Sequence, residues 1–559
     1  MAQPQQNITI AAPGFQGLNT EESPLEQNPG FGTITDNAVV DKSGRIAARE
    51  AFATKTVTDA IPYSTAPGMV TEEKDLKRIA SGVIDGQLHI LAIMSHWQYD
   101  VNGALLQEDY YIVEVDDDAL GSITYPAVLI PANLRDAKII PFNNKMYIYS
   151  KGNEPLVFDG TTITKLSATA GYIAPQDDTG TIAAELNGDV ATAAYGRMWV
   201  SGVNGDYNTI YYSDLLIGHQ WYDGKAVPTD PLNTAGILDV AEYWPLGGDR
   251  IVAIQAHNNF LIVFGRSSIL LYANAAVGDP AAEGGIFLQD TIENVGCINR
   301  DAITSIGSDI IFVDDSGVRS LGRTIQEKSV PIGDLSVNVR SDIQQAILVE
   351  PNKDISLFYV PDKGMLVCLF SDTEQAYVFD MKQPSASGGN KVTRWTDCVF
   401  NRGIFIEDGD TAYTLLAGRH GTGALVYGGY SQYDGQPYLF KYESNLFTFG
   451  DSVRQKFLKQ VDFTIISTFI NAEATVKWGY GGSLQYSSNK TIVATPPALF
   501  GVAEYNVGTF GLGLDTIKRY RTNTKGSGAT VAVGFEAEIN GNSCSIQEIN
   551  IQTLLGRIY

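Results

Sequence analysis

"IVAIQAHNNFLIVFGRSSILLY", residues 251–272, sets short apolar runs between polar turns, with one histidine and one arginine in those turns. The run "FLIVF" is apolar without alternation, as expected of a strand covered on both faces. The same pattern of turn, apolar run, Gly/Asp/Asn turn and second apolar run recurs along the chain. Copies are "GQLHILAIM" with the later "DYYIVEV", "NNKMYIYSKGNEPLVFDG", "GRMWVSGVNGDYNTIYYSD", "SDIIFVDDSGVRSLG", "DISLFYVPDKGMLVCLF" and "RGIFIEDGDTAYTLLAG". Their anchors are Leu88, Met146, Met198, Phe260, Ile310, Leu357 and Ala412. The anchors recur every 47 to 62 residues, a period that predicts propeller blades of about four strands each. A two-layer sandwich uses similar strands, but sandwiches seldom need so many similar hairpins in series.

After residue 435 the pattern changes. "FLKQVDFTIISTFINAEATVKWGYG" and "GATVAVGFEAEINGNSCSIQEINIQTL" alternate apolar and polar side chains over long runs, which predicts half-buried antiparallel sheet. The fold expected is therefore all-β: a β-propeller of about six blades plus a sandwich-like β platform. The divisions are 1–70, an N-terminal segment packing on the platform; 71–434, the propeller, with insertions near 95–135 and 214–248; and 435–559, the platform. Helix is a minor ingredient. "SDIQQAILVE" is the best helical stretch, with Ser341 as cap, Gln344 as its partner and Pro351 as stop.

The chain carries 39 Lys and Arg against 63 Asp and Glu, a net charge of −24, which argues against a surface that grips nucleic-acid phosphates. The deficit is uneven, because residues 440–559 are nearly neutral. No apolar run is long enough to span a bilayer, and the start lacks the pattern of a secretory signal, so no membrane anchor is expected. Cys297, Cys368, Cys398 and Cys544 are widely spaced and read as buried free thiols.

Residues with chemical potential read as structural. The five histidines, His89, His96, His219, His257 and His420, form no metal-ligand motif, and His257 belongs to a hairpin turn. "GRHGTG" (418–423) resembles a phosphate loop but lacks its lysine and the helix that follows, so a turn is expected. The run Asp116, Asp117, Asp118 lacks calcium-loop spacing and reads as a solvated strand end. The aromatic clusters "HWQYD" (96–100), "HQWYDG" (219–224) and "GGYSQYDGQPY" (428–438) suit core or interface packing more than sugar stacking. No catalytic, cofactor-binding or metal residue is assigned, and no cofactor.

Several segments resemble the tail nozzle proteins of short-tailed bacteriophages, also called tail tubular protein B and related to packaged-DNA stabilisation proteins. "GFQGLNTEESPLEQNPGFGTITDNAVVDKSGRIAAREAF" is similar to the family's opening, through Gly17, Leu18, Asn19, Ser23, Pro24, Asn37, Gly44 and Arg49. "YGRMWVSG" to "IYYSD", the opening hairpin, "GCINRDAITSIGSDIIFVDDSGVRSL" and the final "LLGRIY" follow in the family's order.

The resemblance implies a structural virion protein and no enzyme. It implies a homohexameric nozzle in the virion tail, assembled in the host cytoplasm. The ring closes the DNA exit channel before infection, docks on the portal's adaptor (tail tube) protein, supports tail fibres or spikes, and lets double-stranded DNA pass without sequence-specific binding. An acidic channel wall would repel the passing phosphates. Two loops, "QPSASGGNK" (383–391) and 494–513, are candidate gates. Arg454, Lys456, Lys459, Lys518, Arg519 and Arg521 are candidate salt-bridge donors to an acidic partner. The alternative from another class is a glycan-binding or glycan-degrading β-propeller.

Overall fold

The computed structural model describes residues 5–56, 66–115, 120–122, 134–176, 186–224, 233–245, 247–277, 284–327, 334–386, 388–409, 411–467, 472–492 and 516–556. The architecture is all-β, as expected, and its first body is a ring of seven antiparallel sheets rather than about six. In chain order the blades occupy 71–122, 138–165, 190–239, 253–293, 303–320, 355–395 and 400–427. Blade 4 contains the opening stretch: Ala253–His257 is its inner strand, Asn258 and Asn259 form the turn, and Phe260–Phe264 runs back. Both asparagines have positive φ (48° and 68°), the geometry that matches a two-residue turn to strand twist. Blade 1 turns in the same way at Asp85 and Gly86, blade 2 at Asn143 and Asn144, and blade 3 at Tyr195 and Gly196.

Shared apolar layers close the ring. Ile84 and Ile93 of blade 1 meet Ile139 and Met146 of blade 2. Tyr147 and Tyr149 of blade 2 meet Met198 and Val200 of blade 3. Trp199 of blade 3 packs with Leu261 and Val263 of blade 4. Blades 4, 5 and 6 share a layer holding Phe264, Phe312 and Leu366. Phe358 of blade 6 meets Phe400 of blade 7, and Leu415 of blade 7 meets Leu76 and Ala92 of blade 1.

The last blade is completed from the far end of the chain. Phe52–Thr56 pairs antiparallel with Ala424–Tyr427 as its outer strand. Part of the 1–70 segment thus belongs to the propeller, although Gln5–Ala11 and Ala38–Val40 lie in a platform sheet. The stretches set apart as insertions also contain blade strands. Leu105–Val115 is the third strand of blade 1, and Gly236–Asp239 the outer strand of blade 3. "DYYIVEV" supplies the continuous buried run Tyr110 to Val113 that holds the first of these in place.

Among the described residues blade 5 has three strands, followed by helix α1 (Leu321–Glu327) and then helix α2 (Arg340–Val349). Ser341 is not the cap of α2. It lies inside the helix and donates its hydroxyl to Glu21 (3.0 Å), while Val339 holds the cap position without a side-chain bond. Pro351 opens a 3-10 turn, Pro351–Lys353, and the helix ends before it.

The platform is a pair of facing sheets. One runs Thr516–Asn523, Lys456–Ser467, Cys544–Leu555, Ile46–Ala48 and Ala38–Val40, with Gln5–Ala11 also on Cys544–Leu555. The other contains Tyr438–Ser444, Val531–Ile539, Ala472–Tyr480 and Ser483–Ile492. Val461, Phe463 and Ile549 from the first meet Phe440, Trp478 and Phe535 from the second in one core. The second sheet does not stop at the domain boundary. Through Gly17–Leu18 and Phe31–Asp36 it continues into blade 6, giving a ten-stranded sheet across both bodies.

Candidate functional site

The N-terminal segment is the splice between propeller and platform, and its side chains bond to both bodies. Gly17 sits at φ +85°, and a Cβ there would lie 2.4 Å from the carbonyl oxygen of Val392, so the close strand pairing requires glycine. Asn37, also at positive φ, donates to Thr396 Oγ1 (2.9 Å) and Leu439 O (3.0 Å). It accepts from Thr396 N (3.1 Å) and Arg49 Nε (3.0 Å). Arg49 is fully buried, with its guanidinium 4.0 Å from the centroid of Phe52 and 4.2 Å from that of Tyr438. Burial lowers its pKa against the opposing pull of Tyr438, and the aromatic faces replace part of its lost hydration. One cation thus ties the closing strand of blade 7 to the first strand of the second platform sheet.

The second feature lies at one axial face of the propeller. In an antiparallel blade the start of the inner strand and the turn between strands two and three lie at the same end. At that end, Arg135, Asp136, Asp189, Arg250, Arg300, Asp301, Lys353 and Asp354 precede the inner strands of blades 2 to 6, and Lys151 and Arg266 occupy second turns. With Arg78 they line a cavity of about 630 Å³.

A salt-bridge network closes its floor. Asp301 of blade 5 reaches Arg78 of blade 1 (3.3 Å) and Arg402 of blade 7 (3.0 Å), and Arg402 also binds Asp354 (2.7 Å). Arg300 holds Asp189 (3.2 Å) and its carbonyl (2.6 Å). Burial pushes the Asp301 carboxyl up, but the three arginines and Lys138 outweigh it and hold the group well below the usual carboxylate range. Burial together with Arg402 brings Arg78 down to about 10. Below the network Lys138 lines the narrow axial channel, and burial, aided by Arg300, lowers its ammonium to about 8.

The sequence-selected residues are dispersed. His89 contacts Glu114 (2.6 Å), His96 is buried against Glu72 (2.9 Å), and His257 ends an inner strand beside Asn258 (2.9 Å). His219, partly sheltered, has its pKa lowered by burial and Lys145. His420 is the exception: in the turn 419–423, its Nδ1 lies 3.1 Å from Glu73 and its Nε2 2.8 Å from Glu374. Glu73, Asp75 and His420 bring ligand atoms within 4.8 Å of one another, but Asp75 is already neutralised by Lys77 (2.7 Å) and Arg419 (3.9 Å). The four cysteines are buried free thiols. From the aromatic clusters, Trp221 and Tyr438 are core residues.

Of the candidate partner donors, Lys456 is fully buried and donates to the carbonyl of Asp451, so its ammonium is spent inside the platform. Arg454 pairs with Asp451 (3.1 Å), and Arg519 and Arg521 both flank the buried Asp462 (2.6 and 3.6 Å). Lys459 is exposed and Lys518 lies partly buried on the edge strand Thr516–Asn523. The loop at 383–391 is fastened. Ser385 N donates to Gly389 O (2.7 Å), Ala386 N to Gln16 Oε1 (2.9 Å) and Asn390 N to Leu335 O (3.2 Å). Asp116 to Asp118 and the 494–513 loop lie outside the described residues. Among the described residues no helix is long and apolar enough to cross a membrane.

The charged ring at the mouth went unread, although a signal exists. An aspartate stands just before an inner strand at 136, 189, 249, 301 and 354, with a basic neighbour at 135, 250, 300 and 353.

The sequence matches no family profile and no curated protein. By structure the chain is similar to the WD40 domain of Neurospora crassa Pan2, at 9% identity and TM-score 0.33 over 64% of this chain and 89% of that one. It is similar to the WD40 domain of Toxoplasma gondii coronin, at 8% and 0.29 over 68% and 87%. An exo-β-1,3-galactanase of Phanerochaete chrysosporium aligns at 8% and 0.22 over 90% and 100%. Such values transfer no residue roles. This is a β-propeller protein, and the blade count stands on strand pairing within the chain.

Proposed function

We propose that the chain is a structural virion protein, the subunit of a hexameric tail nozzle of a short-tailed phage. In this reading the ring closes the DNA exit channel before infection, docks on the portal's adaptor, carries fibres or spikes and lets DNA pass during ejection. The observation that carries it is a coincidence of position. Gly17, Asn37 and Arg49, which bear the resemblance, are the residues that weld propeller to platform. A sheet continuous across both bodies suits a wall under load, because bending the joint would break backbone pairing. The acidic balance of the chain also suits a channel that must not retain phosphates.

A glycan-degrading propeller needs a carboxyl held protonated near a second carboxylate. At the mouth, Asp301 and Asp354 are instead both held below their ordinary pKa despite burial, by Arg78 and Arg402. The two readings separate in one pair of measurements on the purified full chain: sedimentation with and without the adaptor, and depolymerisation of host surface polysaccharide. The nozzle reading expects a hexamer or adaptor-dependent assembly and no depolymerisation. A stable monomer that cleaves polysaccharide would sink it.

A further inference from the structure

The mouth of the propeller has a charge opposite to that of the chain. Its lining holds seven cations, Arg78, Arg135, Lys151, Arg250, Arg266, Arg300 and Lys353, against four aspartates. Three of those aspartates are consumed within the network described above, and Asp136 is 3.4 Å from Arg78. Of the remaining cations, Arg266 pairs with Asp315 and Lys353 donates to the carbonyls of Ile347 and Leu348, but three are not spent in this way. Arg135 and Arg250 make no side-chain ion pair or hydrogen bond among the described residues, and Lys151 has only the face of Tyr207, 5.9 Å away. Lys138, beneath, is likewise without an ion pair among the described residues.

In a chain with 24 more acids than bases, unpaired cations from blades 2 and 4 that converge on one concavity focus a positive potential there, which favours an anion. We propose that this cavity binds a compact multivalent oxyanion, carrying two or more phosphate or sulfate groups, held between the rim cations Arg135, Lys151 and Arg250 above the Arg78–Asp301–Arg402 floor. Its size fits a ligand of that kind, whereas a double helix is too broad to enter a cleft floored by that network. Phosphate and sulfate esters share tetrahedral oxygens that match guanidinium forks. Bound there, the oxyanion links the leading loop and second turn of blade 2 to the leading loop of blade 4. The site is independent of the nozzle reading, since it requires only the folded propeller.

The test is titration calorimetry and thermal unfolding of the purified full chain with sodium tripolyphosphate at constant ionic strength. Parallel titrations use a disulfated disaccharide and a short DNA duplex. The expected result is saturable binding of one tripolyphosphate or one disulfated sugar per chain with a raised unfolding midpoint, the tighter of the two identifying the natural ester. A Lys151→Glu/Arg250→Glu double variant, which alters exposed side chains without ion pairs, should keep the unliganded midpoint and lose at least about tenfold in affinity, equivalent to about 1.4 kcal/mol. Equal affinity in wild type and variant overturns the site. So does the absence of saturable binding by either compact anion, or binding seen with the duplex alone.

Discussion

At the scale of single residues, the joint concentrates on Arg49 and Asn37. Arg49→Ala leaves Asn37 Oδ1 short of a donor and opens a void between Phe52 and Tyr438. The loss expected in denaturant unfolding is about 3–5 kcal/mol. Arg49→Lys should recover only part of it, since an ammonium cannot lie flat between two rings while donating along Nε. His420 gives a pH signature at the seam between blades 7 and 1. Burial opposes its protonation, but hydrogen bonds to Glu374 and Glu73 prevail and raise its pKa above 6.5. Asp75, Arg419 and Lys77 complete its charged surroundings. A raised folded pKa means that its contribution is complete below pH 6.5 and is lost as pH rises through the folded value. The midpoint difference between wild type and His420→Gln should therefore be largest in acid and vanish in alkali. A difference independent of pH would contradict the assignment. None of these roles was legible beforehand, because a histidine between two carboxylates on the flanking blades 6 and 1, far away in sequence, has no local motif.

At the scale of elements, the repeats were legible and their closure was not. Six of the seven anchors fall on second strands; Leu357 falls one strand early, on the inner strand Ile355–Val360. The seven anchors match the seven blades one to one, but local periodicity does not show that blade 5 is followed by α1 in place of an outer strand or that blade 7 borrows Phe52–Thr56 from far upstream. A search for local periodicity cannot see a strand supplied by the other end of the chain. That borrowed strand should act as the latch of the ring. Phe52 is fully buried against Trp395, Phe400 and Tyr427, so Phe52→Ala should cost about 3–5 kcal/mol. Hydrogen exchange would locate the damage: amides of Ala424–Tyr427 should lose protection first, ahead of those in blades 2 to 4. Uniform loss across all blades would mean that the latch is not a separate opening unit. The platform alternation was equally readable, while its sheet running into blade 6 was hidden, since Gly17 and Leu18 form a two-residue strand too short to leave a pattern.

At the scale of the whole molecule, two bodies share one sheet and one N-terminal splice, and Arg78, Asp301 and Arg402 bridge blades 1, 5 and 7 at the mouth of the propeller's narrow axial channel. In the proposed nozzle, DNA runs between subunits rather than down the narrow propeller axis, along a wall assembled from an acidic chain. Repulsion from such a wall is screened by salt, so the rate of DNA release from particles should vary with ionic strength. A rate flat from low to high salt would remove the electrostatic part of the proposal. The central claim is the ring itself, and negative-stain electron microscopy of the purified chain and of the particle that carries it tests that most directly. The account predicts six-fold rings with a central channel, matching a density at the tip of a short tail. Single seven-bladed discs with an attached lobe, and no such density on the particle, would contradict it.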